Sequence, residues 1–343
     1  MRVNATTIIL GAGLSGLTAA RLLTSGERHV LILDKGRGVG GRLATRREGE
    51  GVRFDHGAQY FTARDSRFVS AAHEWMSAGV AQIWAEEFAA TESRAGEPRP
   101  RYPRYKGTEG MAGIAKFLAE GLSIQSGVKV VRIAARETGW EVMSERGGSF
   151  HCDDLVLTMP VPQSLALLAD SEVTLEAATM TRLEAIRYAP CLALLVTLGG
   201  PSAVPAPGGL FAGPEPIGWL ADNQQKGISG QSAMTIHAGP EFSHEHFAAP
   251  EAAVTELLLE AAKPYLGSPV LSSTLHRWRY SLPTVTDPSR CAVWQAPHGA
   301  RIFFAGDAFG GPRLEGAYVS GLSVAEAILG TGACGLGGTG FQP

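Results

Sequence analysis

The feature that most limits how this chain can fold is one continuous stretch: Thr6-Thr7-Ile8-Ile9-Leu10, then Gly11-x-Gly13-x-x-Gly16, then residues 29–34. The first run is apolar without alternation, as in a strand buried on both faces. Leu14, Leu17, Leu22 and Leu23 supply the apolar contacts of a helix from Leu14 to Ser25. His29 to Leu33 reads as a second strand ending on Asp34. Strand, glycine turn, helix and strand make a βαβ unit. Gly11 permits the tight turn, Gly13 lets backbone approach a pyrophosphate, and Gly16 lets helix and strand pack closely. Ala12, Leu14 and Ser15 complete the loop, whose N–H groups at the helix start attract phosphate. Asp34 stands where it can accept from a ribose hydroxyl. The ligand this predicts is a dinucleotide.

Other classes are excluded by composition. The net charge is −3 with no long Lys/Arg run, so nothing points to nucleic acid or an acidic membrane. No stretch approaches the about 18 uninterrupted apolar residues of a membrane span. The apolar start lacks a charged leader and carries glycines that a phosphate loop explains better. Cys152, Cys191, Cys291 and Cys334 lie far apart with no CxxC pair. That spacing argues against zinc and against a disulfide framework, and suits thiols in a reducing compartment. A cytoplasmic protein with no metal is expected.

With 343 residues there is material for two lobes. Gly110–Leu122 reads as helix, and Val128–Ile133 and Leu155–Met159 as strands. From Pro160 to about Pro297 strand-like segments (Leu192–Leu198, Ala233–His237, Thr274–Tyr280) alternate with Gly/Pro loops and a helix near Glu251–Ala262. This predicts a second, α+β substrate lobe on a mainly antiparallel sheet. Arg301–Ala305 is a further apolar strand, and a helix from Glu315 to Leu329 ends at Gly330. The expected division is 1–75, 105–165 and 297–330 for a discontinuous dinucleotide-binding domain, 76–104 and 166–296 for the substrate lobe, and 331–343 for a flexible tail. Arg94 to Lys106, rich in Pro, Arg and Tyr, reads as a surface excursion.

Two later pieces separate a flavin from a simple nicotinamide dinucleotide. Gly36-Arg37-Gly38-Val39-Gly40-Gly41-Arg42 puts a second glycine cluster directly after Asp34. FAD needs this because its phosphates and ribityl chain extend past the first loop, and Arg42 offers a planar fork of donors to phosphate. Far along the chain, Phe303-Phe304-Ala305-Gly306-Asp307 is a strand ending in an acid suited to ribityl hydroxyls. Glu315-Gly316-Ala317 then opens a helix whose N–H groups suit the flavin pyrimidine, where charge collects on reduction.

These pieces in this order resemble the FAD-dependent amine oxidase superfamily and, within it, the renalase family, the bacterial members in particular. The shared stretches are Asp34-Lys35-Gly36-Arg37-Gly38-x-Gly40-Gly41-Arg42, Asp55-x-Gly57-Ala58-Gln59-Tyr60-Phe61-Thr62-Ala63-Arg64, His276-Arg277-Trp278, and Gly306-Asp307 through Arg313-x-Glu315-Gly316-Ala317. The resemblance implies an α/β protein with a glutathione-reductase-like Rossmann FAD domain and noncovalent FAD. The activity it implies is oxidation of 2- and 6-dihydroNAD(P) to NAD(P)+, with O2 as acceptor and H2O2 as product. By position Tyr60, His237 and Trp278 match residues around the flavin pocket. Lys35, Gly41, Gln59 and Tyr60 fall in cofactor-contacting stretches, and Val130 matches the residue at the adenine end.

The residues themselves agree in part. Thr274-x-His276-x-Trp278-x-Tyr280 alternates, so His276, Trp278 and Tyr280 share a face. An aromatic wall there would hold a flat heteroaromatic ring, and a dihydropyridine expels hydride without a general base. Monoamine oxidases carry a tyrosine two residues before the Glu-Gly-Ala helix start; here Arg313 stands there, a cation that repels amines and attracts phosphate. Lys226 and Lys263 fall in a predicted loop and helix, leaving the lysine of many amine oxidases without a counterpart. The Ser-Gly-Gly-Cys signature of covalent flavin attachment is missing. Two other readings stay open: a flavin oxidase of a small amine or other cyclic donor, and a non-enzymatic flavin redox sensor.

Overall fold

The apolar runs Thr7–Leu10, Val30–Asp34, Asp154–Leu157 and Arg301–Phe304 lie side by side as parallel strands in a computed structural model of the chain. It describes residues 2–91, 102–213, 215–297 and 299–334. The expected α/β class is therefore observed, with a Rossmann-like βαβ start. Ile8, Ile9, Ile32, Leu155, Val156, Ile302 and Phe304 are all fully enclosed, which is why these runs do not alternate. Ile124–Ser126 extends the sheet beyond Val30–Asp34, and Ala292–Gln295 closes the other edge antiparallel to Arg301–Phe304.

The chain forms two compact units, the first comprising 1–41, 115–187 and 283–343 and the second 42–114 and 188–282. In the first, helix Leu14–Ser25 crosses helix Leu314–Leu329 so tightly that a Cβ at Gly321 would sit 2.4 Å from the Ser15 carbonyl oxygen. A four-stranded sheet (Arg2–Asn4, Ser149–Cys152, Trp140–Ser144, Val130–Ala135) belongs to the same unit. The second unit is built on six strands in the order Val270–Val285, Arg187–Leu198, Ala233–Ala238, Ile217–Asp222, Gly209–Phe211, Ala89–Ala90. Its three central pairings are antiparallel, and helix Glu251–Leu266 buries Val254, Leu258 and Ala262 against Leu194, Val196 and Ile236.

These boundaries differ from those expected. Residues 42–75 fold with the second unit because Val52 and Phe54, on the hairpin Thr45–Glu48/Val52–Asp55, pack on Leu195 and Ala233. Helices Val161–Asp170 and Ala177–Ala185 fold with the first. There the Ser171 hydroxyl accepts from the Ile133 N–H (2.9 Å) and Arg182 pairs with Asp287 (2.8 Å). The supposed surface excursion is also corrected. Residues 92–101 lie outside the described residues, but Arg104–Gly107 is a buried strand paired with Ala81–Ala85.

The reading of four unpaired thiols is corrected too. Cys291 and Cys334 form a disulfide, with a sequence separation of 43 that gives no local signal. Thr331 to Cys334, expected to begin a loose tail, are held by this bond and by the Thr331 N–H donating to the Glu326 carbonyl (3.0 Å). The rest of that tail lies outside the described residues. Cys152 and Cys191 remain thiols, and burial pushes Cys191 up to about 12. Among the described residues no helix is long and apolar enough to cross a membrane.

Candidate active site

The first unit assembles the dinucleotide cradle from three segments. Gly11 takes a φ of 113°, and a Cβ at Gly16 would stand 2.1 Å from the Gly11 carbonyl oxygen, so strand and helix meet on bare backbone. Asp34, expected at the ribose, has a structural task as well. Its two oxygens accept from the Ala12 N–H and the Gly36 N–H, each at 2.6 Å, knitting the first glycine loop to the second. The Gly40 N–H donates to the Ala12 carbonyl at 2.8 Å, and Gly41 opens the short turn Gly41–Leu43. A carboxylate oxygen has further acceptor capacity, so a ribose hydroxyl is still accommodated. Lys35 is exposed and donates to Gln163 (3.2 Å). Val130 follows directly on the segment whose Gly127 and Val128 N–H groups bond the Gly36 and Asp34 carbonyls.

Leaving the same edge of the parallel sheet, Gly306 has a φ of 142° and its N–H donates to the Ser320 hydroxyl (2.8 Å). Buried Asp307 opens the turn Asp307–Gly310. Arg313, exposed, stands at the N-cap of Leu314–Leu329, whose first turn carries Glu315, Gly316 and Ala317. A Cβ at Gly316 would lie 2.0 Å from the Gly311 carbonyl oxygen, so the helix start folds back on the glycines before it.

These residues fit a dinucleotide. A Cβ at Gly13 would meet no atom within 4 Å, and the first turn of Leu14–Ser25 carries no acid. The Ser15 hydroxyl, buried in that turn, has no protein partner. Open backbone, a helix N-terminus and a spare hydroxyl suit phosphate oxygens.

The second unit carries the other predicted residues: Arg42, Gln59, Tyr60, His237 and Trp278. Trp278 and His237 converge on one atom. The Trp278 Nε1–H donates to the His56 carbonyl oxygen at 2.8 Å, and His237 Nε2 lies 3.1 Å from it, which assigns the proton to Nε2. The His56 ring stacks on Trp278 at 5.3 Å and 19°, while His276 meets both edge-on at 4.6 and 4.4 Å. Burial first, then the neighbouring His276, His237 and Arg46, pull His56 down to about 3. Burial takes His237 down to about 4, opposed by its bond to the His56 carbonyl and helped by Lys226. The result is an uncharged aromatic wall at neutral pH. His56, at the unspecified position of the Asp55-x-Gly57 motif, is its centre and was not singled out from sequence.

Tyr60 sits apart from this stack, in a second aromatic group with Phe88 (5.2 Å) and Trp219 (5.6 Å). The two groups touch through register, because Trp219 is the cross-strand partner of His237. Arg42 donates to the Ser281 carbonyl (3.1 Å), and its own carbonyl approaches Gly57 so closely that a Cβ there would lie 2.1 Å away.

Beneath residues 55–60 lies a network that sequence reasoning missed. Lys226, consigned to a loop, is wholly buried and paired with wholly buried Asp55 at 2.7 Å. Its Nζ also donates to the Gln59 carbonyl (2.6 Å). Asp55 accepts besides from the Thr45 hydroxyl (2.5 Å) and the Met111 N–H (2.9 Å). Buried Lys106 donates to the Lys226 carbonyl. Burial lowers Lys226 below the usual lysine range although Asp55 opposes it, and burial together with the Lys226 charge brings Lys106 down to about 8.

Comparison with known proteins accords with this arrangement. Residues 9–73 match the NAD(P)-binding Rossmann-like domain, and residues 71–329 match the flavin containing amine oxidoreductase family. Renalase of Mus musculus is 26% identical, the match covering 94% of this chain and 98% of renalase. Two solved structures share the fold at low identity. A putative protoporphyrinogen oxidase from Exiguobacterium sp. 255-15 gives a TM-score of 0.72 at 15% identity, over 95% of this chain and 98% of that one. Wild-type putrescine oxidase bound to putrescine gives 0.71 at 14%, over 96% and 100%. With a FAD cradle, a renalase homologue and a family match across three quarters of its length, the chain is a FAD-dependent oxidoreductase that belongs to the flavin-containing amine oxidoreductase family.

Proposed function

We propose that this enzyme is an oxidase of isomeric dihydronicotinamides, converting 2- and 6-dihydroNAD(P) to NAD(P)+, with a glutathione-reductase-like FAD domain. The observation that carries the reading is the uncharged wall of Trp278, His56 and His276 with His237 behind it. Imidazoles held at about 3 and about 4 are poor proton acceptors at neutral pH. An amine must lose protons to be oxidised, whereas a dihydropyridine releases hydride by the push of its own nitrogen. In the second aromatic group, which Trp84 joins through Phe88 and Trp219, two rings already meet a protein cation, Lys226 over Trp84 at 4.7 Å and Arg104 over Phe88 at 5.3 Å. Bound FAD supplies the hydride acceptor and, on reoxidation by O2, yields H2O2.

The chain's own residues would orient and exclude. Trp278 and His56 offer flat faces to the nicotinamide ring, and His237 and Tyr60 border it. Arg313, exposed at its helix start, offers a cation to the dinucleotide's phosphates. Gln59, Tyr60 and Arg42 would meet the cofactor, and Val130 its adenine end.

The test is anaerobic titration of the FAD-loaded protein with 2- and 6-dihydroNAD. The yellow colour should bleach with at least one isomer and return in air with release of peroxide. Flavin left oxidised by both isomers would rule the reading out.

A further inference from the structure

We infer that Lys226 is a positioning residue for the aromatic wall: its single ammonium pins both ends of the segment from which His56 and Tyr60 project. The segment begins at Asp55, whose carboxylate Lys226 holds at 2.7 Å, and ends at Gln59, whose carbonyl it holds at 2.6 Å. His56 directly follows the first anchor and Tyr60 the second. The Asp55 carbonyl is fixed in turn by the Gln59 amide (2.6 Å) and the Thr235 hydroxyl (2.9 Å). The strand carrying Thr235 carries His237 two residues on, which reaches back to the His56 carbonyl. One buried cation therefore sets the register of three residues that the proposed substrate would meet.

The chemistry of burial supports a task beyond stability. A buried ion pair gains little over well-packed apolar groups, because desolvation offsets the attraction. What it supplies here is direction: the amine reaches two acceptors four residues apart, a constraint that packing alone does not impose. Catalytic groups need such support, since misplacement by about 1 Å can cost about 100-fold in rate.

The inference rests on the proposed wall, and the experiment separates the two. Lys226→Met alone strands the Asp55 carboxylate and is expected to destabilise the protein severely. Lys226→Met with Asp55→Asn removes both charges, lets the new amide keep the bonds to Met111 and Thr45, and frees the Gln59–Tyr60 peptide. In the FAD-loaded double variant, melting should return to near the wild-type temperature. The limiting rate of anaerobic flavin reduction should stay about 100-fold down, with the donor's dissociation constant within about threefold. The donor is whichever of the dihydronicotinamide isomers or a panel of small amines reduces the wild type. Reduction by amines alone thus refutes the proposed substrate and leaves this comparison readable. Visible circular dichroism of the bound flavin, read without any donor, should change in the double variant. Recovery of rate along with stability, loss of FAD from the double variant, or an unchanged flavin spectrum where no donor works would each overturn the inference.

Discussion

Replacing Lys106 by methionine should stabilise the protein at neutral pH and destabilise it in alkali. Lys106 is buried, donates to the Lys226 carbonyl, and shares one carboxylate, Asp55, with a second buried ammonium. Burial, then the Lys226 charge, lower it from 10.5 to about 8, with Asp55 pulling the other way. At ~1.4 kcal/mol per pH unit, that displacement corresponds to about 3 kcal/mol of native-state penalty while the amine is charged. Because the folded value lies below the unfolded one, the unfolded chain binds more protons between about 8 and 10.5, and stability rises with pH across that window. Methionine removes the charge but leaves the Lys226 carbonyl without its donor, a loss of about 1–2 kcal/mol. The variant should therefore be more stable by about 1–2 kcal/mol near pH 7 and less stable by about 1–2 kcal/mol near pH 10.5. Urea unfolding of wild type and variant at both pH values, with saturating FAD throughout, reads the difference directly. A variant less stable by the same margin at both would refute the account.

Three further outcomes follow from the same geometry. Asp34→Ala removes two charge-assisted anchors and should raise the FAD dissociation constant at least about 30-fold, measured by recovery of free-flavin fluorescence on dilution; a change under about threefold would contradict the cradle. Trp278→Ala should keep FAD bound while slowing anaerobic flavin reduction by about 10- to 100-fold, and unchanged reduction would return Trp278 to a packing role. Cys334→Ser opens the bond between residues separated by 43 positions and should cost up to about 4 kcal/mol in denaturant titration. Thiol counting in denaturant, where the buried Cys152 and Cys191 are exposed, should find two reactive groups before reduction and four after it.

Much of the first unit was legible because its signals are local. A parallel strand buried on both faces reads as an apolar run, and Gly11, Gly13 and Gly16 sit within one turn of the helix they serve. The boundaries 14–25 and 314–329 emerged nearly as read because Gly330 and the glycine loop punctuate them. The second unit was legible as antiparallel strands and the helix near Glu251–Ala262, but not in its buried polar network. The Asp55–Lys226 pair spans 171 residues, and nothing near Lys226 in sequence separates a buried cation from a solvated one. Arg104 and Lys106 misled for the same reason, since charged residues in a Pro-rich stretch look like surface. His56 escaped notice because it fills an unspecified position in a motif. Trp278 was picked out by the family resemblance, and alternation then set His276 on its face, a rule that needs no tertiary knowledge.

The tight crossing of helices at Ser15 and Gly321 bears on how the protein is made. The phosphate loop leaves the ribosome some three hundred codons ahead of the helix that braces it and of strand Arg301–Phe304, two places along its sheet. A nascent chain stalled before residue 301 would carry the nucleotide fingerprint without its brace, so flavin capture waits until residues 301–329 have joined the fold.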